Sequence, residues 1–564
     1  MIRLRCIVLL ALAPSPLVSQ SPLRTYSDAV IQRYDRTAPK VDYTVTVRPA
    51  DRSAFFVELR IANPPNPARL VIPDWAPGAY RPMRSGDNIA DVAATTGGGE
   101  PLAVTRASPI AWSVDTRGAA TIVVRYSTAV RRPAEWARAN NRWFLRRSSG
   151  LIDGPRTFMY LDGWALAPSH VTFRLPPGWR IGTGLVPTTD SAVYWAPSYD
   201  VLIDSPVLLG VFVAHRFTAG GVPHRAVVDL NGGRPTYDAR RFVDMLRRIC
   251  EAGIAVFGSA PYKDYTFIFA GVGGGLEHLN STTIGFSVPR MQRNPLTHEG
   301  VTAHEFFHTW NVKRIRPAEL GPFDYTRPVR TVSLWVSEGI TDYYTNVLLA
   351  RGGLDSEADF ARNIATAIAS HRGNPARLVV SPERSSWTVW DSPTATDSYV
   401  ISYYLQGELL GLLLDLTIRD STDNAKSLDD VMRYLFDHFG GERGFTSEDL
   451  RTAIRAATGG GPDFRDFWRR YVSGTTEIPW DEYLQAAGWS VGFSEQPATD
   501  ARIGTITPAV QGGRWRAVAV PGSAAAAAGL VTGDELVRVN GRAILDGSDA
   551  TAVLRAVPSG GRVT

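Results

Sequence analysis

The stretch His304-Glu305-Phe306-Phe307-His308 constrains this chain more than any other. Histidines at i and i+4 share one face of a helix, so two imidazoles can grip one metal ion with Glu305 beside them. Neutral imidazole is a good zinc ligand, and two histidines with one carboxylate form a known catalytic zinc set. The spacing therefore predicts metal-assisted hydrolysis. The competing account is a surface helix with two solvated histidines. Its neighbours argue against that: Val301, Ala303, Phe306, Phe307 and Trp310 make the segment apolar and predict burial. Buried ionisable groups need partners or a metal.

A tetrahedral site needs a third protein ligand, and Glu338 in Leu334-Trp335-Val336-Ser337-Glu338 is the best placed. It opens a second apolar segment ending near Leu349. Asp342 lies at i+4 from it, on the same helical face, where it could accept the far N–H of His304 and fix that ring's tautomer. The alternatives are a first-turn glutamate favoured by the helix dipole and a solvated aspartate.

At this point the chain resembles the gluzincins, the thermolysin-like zinc peptidases, and more finely metallopeptidase family sixty-one, the glycyl aminopeptidases. The run from His304 through Thr309-Trp310-Asn311-Val312-Lys313-Arg314-Ile315-Arg316-Pro317 carries the resemblance, as does Leu334-Trp335 through Tyr343-Tyr344. Gly273-Gly274-Gly275-Leu276-Glu277-His278, Ser402 to Gly407, Trp75 to Tyr80, and Tyr199-Asp200 to Asp204-Ser205-Pro206 match as well. The resemblance implies a multidomain α+β chain. It would comprise an N-terminal β-sandwich-like domain, a mostly helical thermolysin-like peptidase domain and a C-terminal PDZ-like domain. It implies one zinc per chain on His304, His308 and Glu338, with Asp342 behind them.

The resemblance also implies that Glu277 holds a substrate's free α-ammonium, making the enzyme an exopeptidase with a taste for N-terminal glycine or alanine. The glycines at 271 and 273–275 follow the apolar run 265–269. An extended peptide could add itself to such an edge, next to Gly274 and Gly275. A glycine-rich hairpin with an exposed glutamate is the other reading. His278 receives no role. Tyr404, three residues before Gly407, is the implied partner of the oxyanion. Tyr403 and Tyr399 compete with it, and simple core packing in a leucine-rich helix is the alternative. Lys313, Arg314 and Arg316 are expected to be solvated or to match the dipole at the helix end.

Arg3 and Arg5 precede an apolar run from Cys6 to Ala13, broken by Pro14 to Gln20, which reads as a secretory signal peptide over 1–20. A periplasmic or secreted destination follows, with no integral membrane segment afterwards. Cys250 is then the only cysteine left. It sits at a core position of a helix expected from Tyr237 to Phe257, which removes the disulfide and cysteine-nucleophile readings. The net charge of +5 is dispersed, with no basic run to mark nucleic-acid binding.

The expected division is an all-β domain over 24–232, a catalytic domain over 233–492 and an incomplete PDZ-like domain over 498–564. The first is expected to pack on the second and wall one side of the cleft. The third rests on Pro521-Gly522-Ser523-Ala524 and Val539-Asn540-Gly541, and would add a peptide strand in a groove. Two rivals stand beside a zinc aminopeptidase acting on free N-termini. One is a zinc endopeptidase of the same fold. The other is a non-enzymatic PDZ-bearing binding protein.

Overall fold

The computed structural model describes residues 39–130, 143–271, 273–391, 401–441, 443–460 and 463–494, with parts of 509–564. The expected signal segment lies outside the described residues.

Alternating apolar residues build the first unit. Lys40–Thr46 buries Val41, Tyr43 and Val45 and turns Lys40 and Asp42 outward, the period of a half-buried strand. It pairs antiparallel with Ala54–Ala62 and parallel with Ser169–Arg174 inside an eight-stranded sheet. Two four-stranded sheets accompany it, one around Ala68–Val71 and Ala111–Val114, the other around Ser149–Ile152 and Val207–Gly210. Phe55, Leu59, Leu70, Trp112, Phe173 and Leu209 meet in one core between these layers. The β-sandwich character is thus as expected.

The second unit begins before the expected division at 232/233. Val213–Ala219 and Val222–Val228 form a hairpin, but Val222–Val228 also pairs in parallel with Tyr265–Phe269. One sheet therefore runs across that boundary, in the order Val213–Ala219, Val222–Val228, Tyr265–Phe269, Ser281–Ile284, Gly275–Glu277. The hairpin's own alternation looks like any other strand pair of the β domain, and only its long-range parallel partner assigns it here. Tyr265–Phe269 is buried at all five positions, as a strand between two parallel neighbours must be. The helix Ala239–Phe257 connects the two parallel strands. Asp238 caps its start by accepting from the amides of Arg240 and Arg241, and Gly258 ends it in the left-handed region. Cys250 is fully buried within it, and burial pushes its thiol up.

The helices that carry the H-E-x-x-H motif and Glu338 pack beneath this sheet. Glu299–Phe307 buries Ala303, Phe306 and Phe307; Phe307 stacks on Tyr344 of the helix Ile340–Arg351, and Trp310 stacks on Phe257. The helix Tyr403–Ser421 crosses the turn before Ile340 at a point with no side chains. A Cβ on Gly407 would stand 2.1 Å from the Trp335 carbonyl oxygen, and one on Gly339 would stand 2.3 Å from the Gly407 Cα. Only a glycine pair permits this approach. Further on, Leu428–Phe439 starts at a capping box on Ser427.

In the last unit, Ala524–Ala527 is a short helix capped by Ser523. Arg538–Val539 and Arg542–Ala543 pair across a turn with positive φ at Asn540 and Gly541. Among the described residues no helix is long and apolar enough to cross a membrane.

Candidate active site

The helix Glu299–Phe307 delivers His304 directly and His308 at its C-cap. Each imidazole is oriented through Nδ1 by a partner that can only accept. His304 Nδ1 lies 2.7 Å from Asp342 Oδ1, and His308 Nδ1 lies 2.6 Å from the Asn311 carbonyl oxygen. A carbonyl and a carboxylate accept, so both Nδ1 atoms carry a proton, and Nε2 is the nitrogen each ring leaves for a shared cation.

Those two Nε2 atoms are 3.0 Å apart, and Glu338 Oε2 stands 3.4 Å from one and 3.2 Å from the other. Three such atoms converging this closely mark a place for positive charge. Donor atoms about 2.0–2.1 Å from a tetrahedral zinc stand about 3.3 Å from one another, so this triangle fits such an ion. The electrostatics agree. Burial lowers the pKa of both imidazoles, but Asp342 and Glu338 outweigh it at His304, and Glu338 does so at His308. Burial likewise raises the Glu338 carboxyl, and the two imidazoles reverse this and hold it well below the usual carboxylate range. The pocket favours positive charge at this point.

Glu338 does not sit in an ordinary first turn. Trp335–Gly339 is a π-helical turn feeding Ile340–Arg351, a local widening often found at functional sites. Asn311 ties this turn to the motif helix: its Nδ2 donates to the Val336 carbonyl at 2.8 Å and to Thr341 Oγ1 at 3.1 Å. Sequence alone gives Asn311 no role. Its position three residues after His308 was the available signal.

Glu305 is 6% exposed and lies against Gly275, where a Cβ would stand 2.1 Å from its Oε1. Gly275 opens Gly275–Glu277, the edge strand of the five-stranded sheet, and the Gly274 carbonyl accepts from the Gly285 amide. Glu277, 3% exposed, faces inward rather than into solvent, and its Oε1 is buried without a hydrogen-bond partner among the described residues. One oxygen or nitrogen from each of Glu277, Glu305 and His308 also falls within 4.8 Å of the others. This second set shares His308 with the first, and one imidazole nitrogen cannot serve two ions, so the two sets are alternatives. The triangle of His304, His308 and Glu338 is preferred because both its imidazoles are oriented by acceptors.

The first unit closes over Glu277. A Cβ on Gly78 would stand 2.7 Å from Glu277 Oε1 and 2.9 Å from Oε2. Burial, then the Glu338 and Glu277 charges, push the Tyr80 phenol well up. On the other side Tyr404 stacks on His304 at 5.9 Å between ring centroids. Burial, then the Glu338 charge, push its phenol well above the ordinary value. Tyr403 reaches Tyr404 instead, and Tyr399 lies outside the described residues.

The basic cluster after the motif is not solvated, contrary to expectation. Lys313 pairs with Asp204 at 2.7 Å with its side chain 8% exposed. Arg314 donates to the carbonyls of Leu279, Thr309 and Pro261. Arg316 is buried over the Phe323 ring. The chain turns back under the sheet after His308, which a helix-end argument could not anticipate.

Comparison with known proteins shows which families the chain matches. Residues 297–410 match the M61 glycyl aminopeptidase, 42–211 the peptidase M61 N-terminal domain and 515–564 a PDZ domain. The chain belongs to the M61 peptidase family and is a metallopeptidase. A solved aminopeptidase N family protein from Idiomarina loihiensis is 26% identical, with a TM-score of 0.77 and 93% of each chain covered. An M1 zinc metallopeptidase from Deinococcus radiodurans, solved as a variant bound to a Tyr-Ser-Ala substrate, is 16% identical at a TM-score of 0.49. There, 78% of this chain and 95% of that one are covered. No curated protein matches.

Proposed function

We propose that this chain is a zinc aminopeptidase that removes small N-terminal residues, glycine or alanine, from peptides. The carrying observation is the triangle of His304 Nε2, His308 Nε2 and Glu338 Oε2 beside the buried carboxylate of Glu277. One zinc per chain would be held by these three donors. It would supply a Lewis acid that polarises the scissile carbonyl and acidifies water.

The protein's own groups do the rest. Glu305 takes a proton from the attacking water and returns it to the leaving amine. Tyr404 donates a hydrogen bond to the developing oxyanion. The peptide lies along the edge strand past Gly274 and Gly275, and Glu277 pairs with its α-ammonium. A buried carboxylate oxygen without a hydrogen-bond partner among the described residues is costly, so a bound ammonium would relieve Glu277 Oε1 and favour free N-termini. Gly78 and Tyr80 crowd this end and support a preference for small first residues. The PDZ unit offers a second place for a peptide, and the 1–20 segment supports a periplasmic or secreted setting.

The test compares glycyl anilide with its N-acetylated form. Strong preference for the free amine supports the reading; equal cleavage makes the enzyme an endopeptidase. Purified protein without zinc or turnover would favour a binding protein.

A further inference from the structure

Asp204 belongs to the first unit, at the end of the short helix Tyr199–Ile203, yet the bonds of its carboxylate go to the second. Its Oδ2 accepts from the Leu279 amide at 2.9 Å, and its Oδ1 contacts His278 Nδ1 at 3.1 Å and Lys313 Nζ at 2.7 Å. His278 and Leu279 directly follow the edge strand Gly275–Glu277. Lys313 follows the metal-binding helix, its amide bonded to the His308 carbonyl. One carboxylate therefore clasps the end of the strand that bears Glu277 and the end of the segment that bears His308.

We propose that Asp204 is a positioning residue: through it the N-terminal unit fixes where Glu277 stands relative to the two imidazoles. This rests on Glu277 being the amine anchor. The charges suit the task. Burial raises the Asp204 carboxyl, but Lys313 and His278 outweigh it and hold it ionised. Burial lowers the Lys313 ammonium, and Asp204, then Glu277 and Glu305, raise it above its usual value. Lys313 thus lies within the field of both glutamates. The cluster is a rigid, charge-assisted brace between two functional elements.

The experiment is a double-mutant cycle between Asp204→Asn and Glu277→Gln, read by KM and kcat on glycyl anilide, zinc content and melting temperature. Asp204→Asn should raise KM roughly tenfold or more, the scale of one lost charge-assisted bond, with kcat and zinc near wild type. In the Glu277→Gln background it should add nothing. An unchanged KM, an equal rise in both backgrounds, or a joint fall of kcat and zinc overturns the proposal. If Asp204→Asn does not fold, the paired change Asp204→Asn with Lys313→Met leaves neither member of that ion pair buried alone and is judged by the same criteria. A wild-type KM in Glu277→Gln alone refutes the amine-anchor reading. A raised KM there, with a wild-type KM in Asp204→Asn, refutes only the positioning role.

Discussion

Two carboxylates on the same helix have opposite consequences. Glu305 lies beside the imidazoles, where it can move a proton. Replacing it with Gln keeps the shape and the metal ligands, so zinc content should hold while kcat falls about 100- to 10,000-fold. Unchanged turnover contradicts its role. Glu299 starts the helix half-buried, and burial, then Asp355 and Asp359, push its carboxyl up to about 7. That lies above its unfolded value, so between about pH 4.5 and 7 the folded chain holds a proton that the unfolded chain has released. Stability is lost as pH rises through that window. Glu299→Gln should therefore raise the melting temperature at pH 8 and leave it unchanged at pH 4. Thermal scans at the two values check the sign.

At the scale of elements, the site depends on one close crossing. Gly407 and Gly339 let the helix Tyr403–Ser421 rest directly on the π turn that holds Glu338. Gly407→Ala should force the two apart and cost at least about 1–3 kcal/mol, the range for overpacking. It should lower kcat by separating Tyr404 from Glu338. A variant with wild-type melting and kcat would show the crossing to be slack. Much of this level was legible in the sequence. His304 and His308 come from one helix at fixed spacing, so their shared face follows from geometry alone. Glu277 and Tyr404 enter as candidates through resemblance alone. What remained hidden is long-range. No local pattern reveals that the hairpin 213–228 pairs in parallel with Tyr265–Phe269, nor that Lys313 turns inward to meet a carboxylate from another unit. The π turn was also invisible, because the apolar period around Trp335 fits an ordinary helix equally well.

For the whole molecule, the first two units share more than a surface. Phe144, Leu151 and Leu208 from the first form one buried cluster with Phe212, Val227, Ile268 and Ala270. Trp75 and Tyr80 form another with Leu320 and Leu334. Cutting the chain before residue 213 would expose these apolar faces to water. The fragment 213–494 should therefore aggregate on its own, and size-exclusion chromatography tests this. A soluble, active monomer would mean that the first unit is dispensable and that Gly78 and Tyr80 shape nothing. The site's central claim is that three side chains from two elements hold one ion. Anomalous scattering at the zinc edge, from crystals of the protein purified with zinc, tests it most directly. A single peak about 2.0–2.2 Å from His304 Nε2, His308 Nε2 and a Glu338 oxygen is the predicted result; zinc bound elsewhere, with nothing between those three atoms, would contradict it.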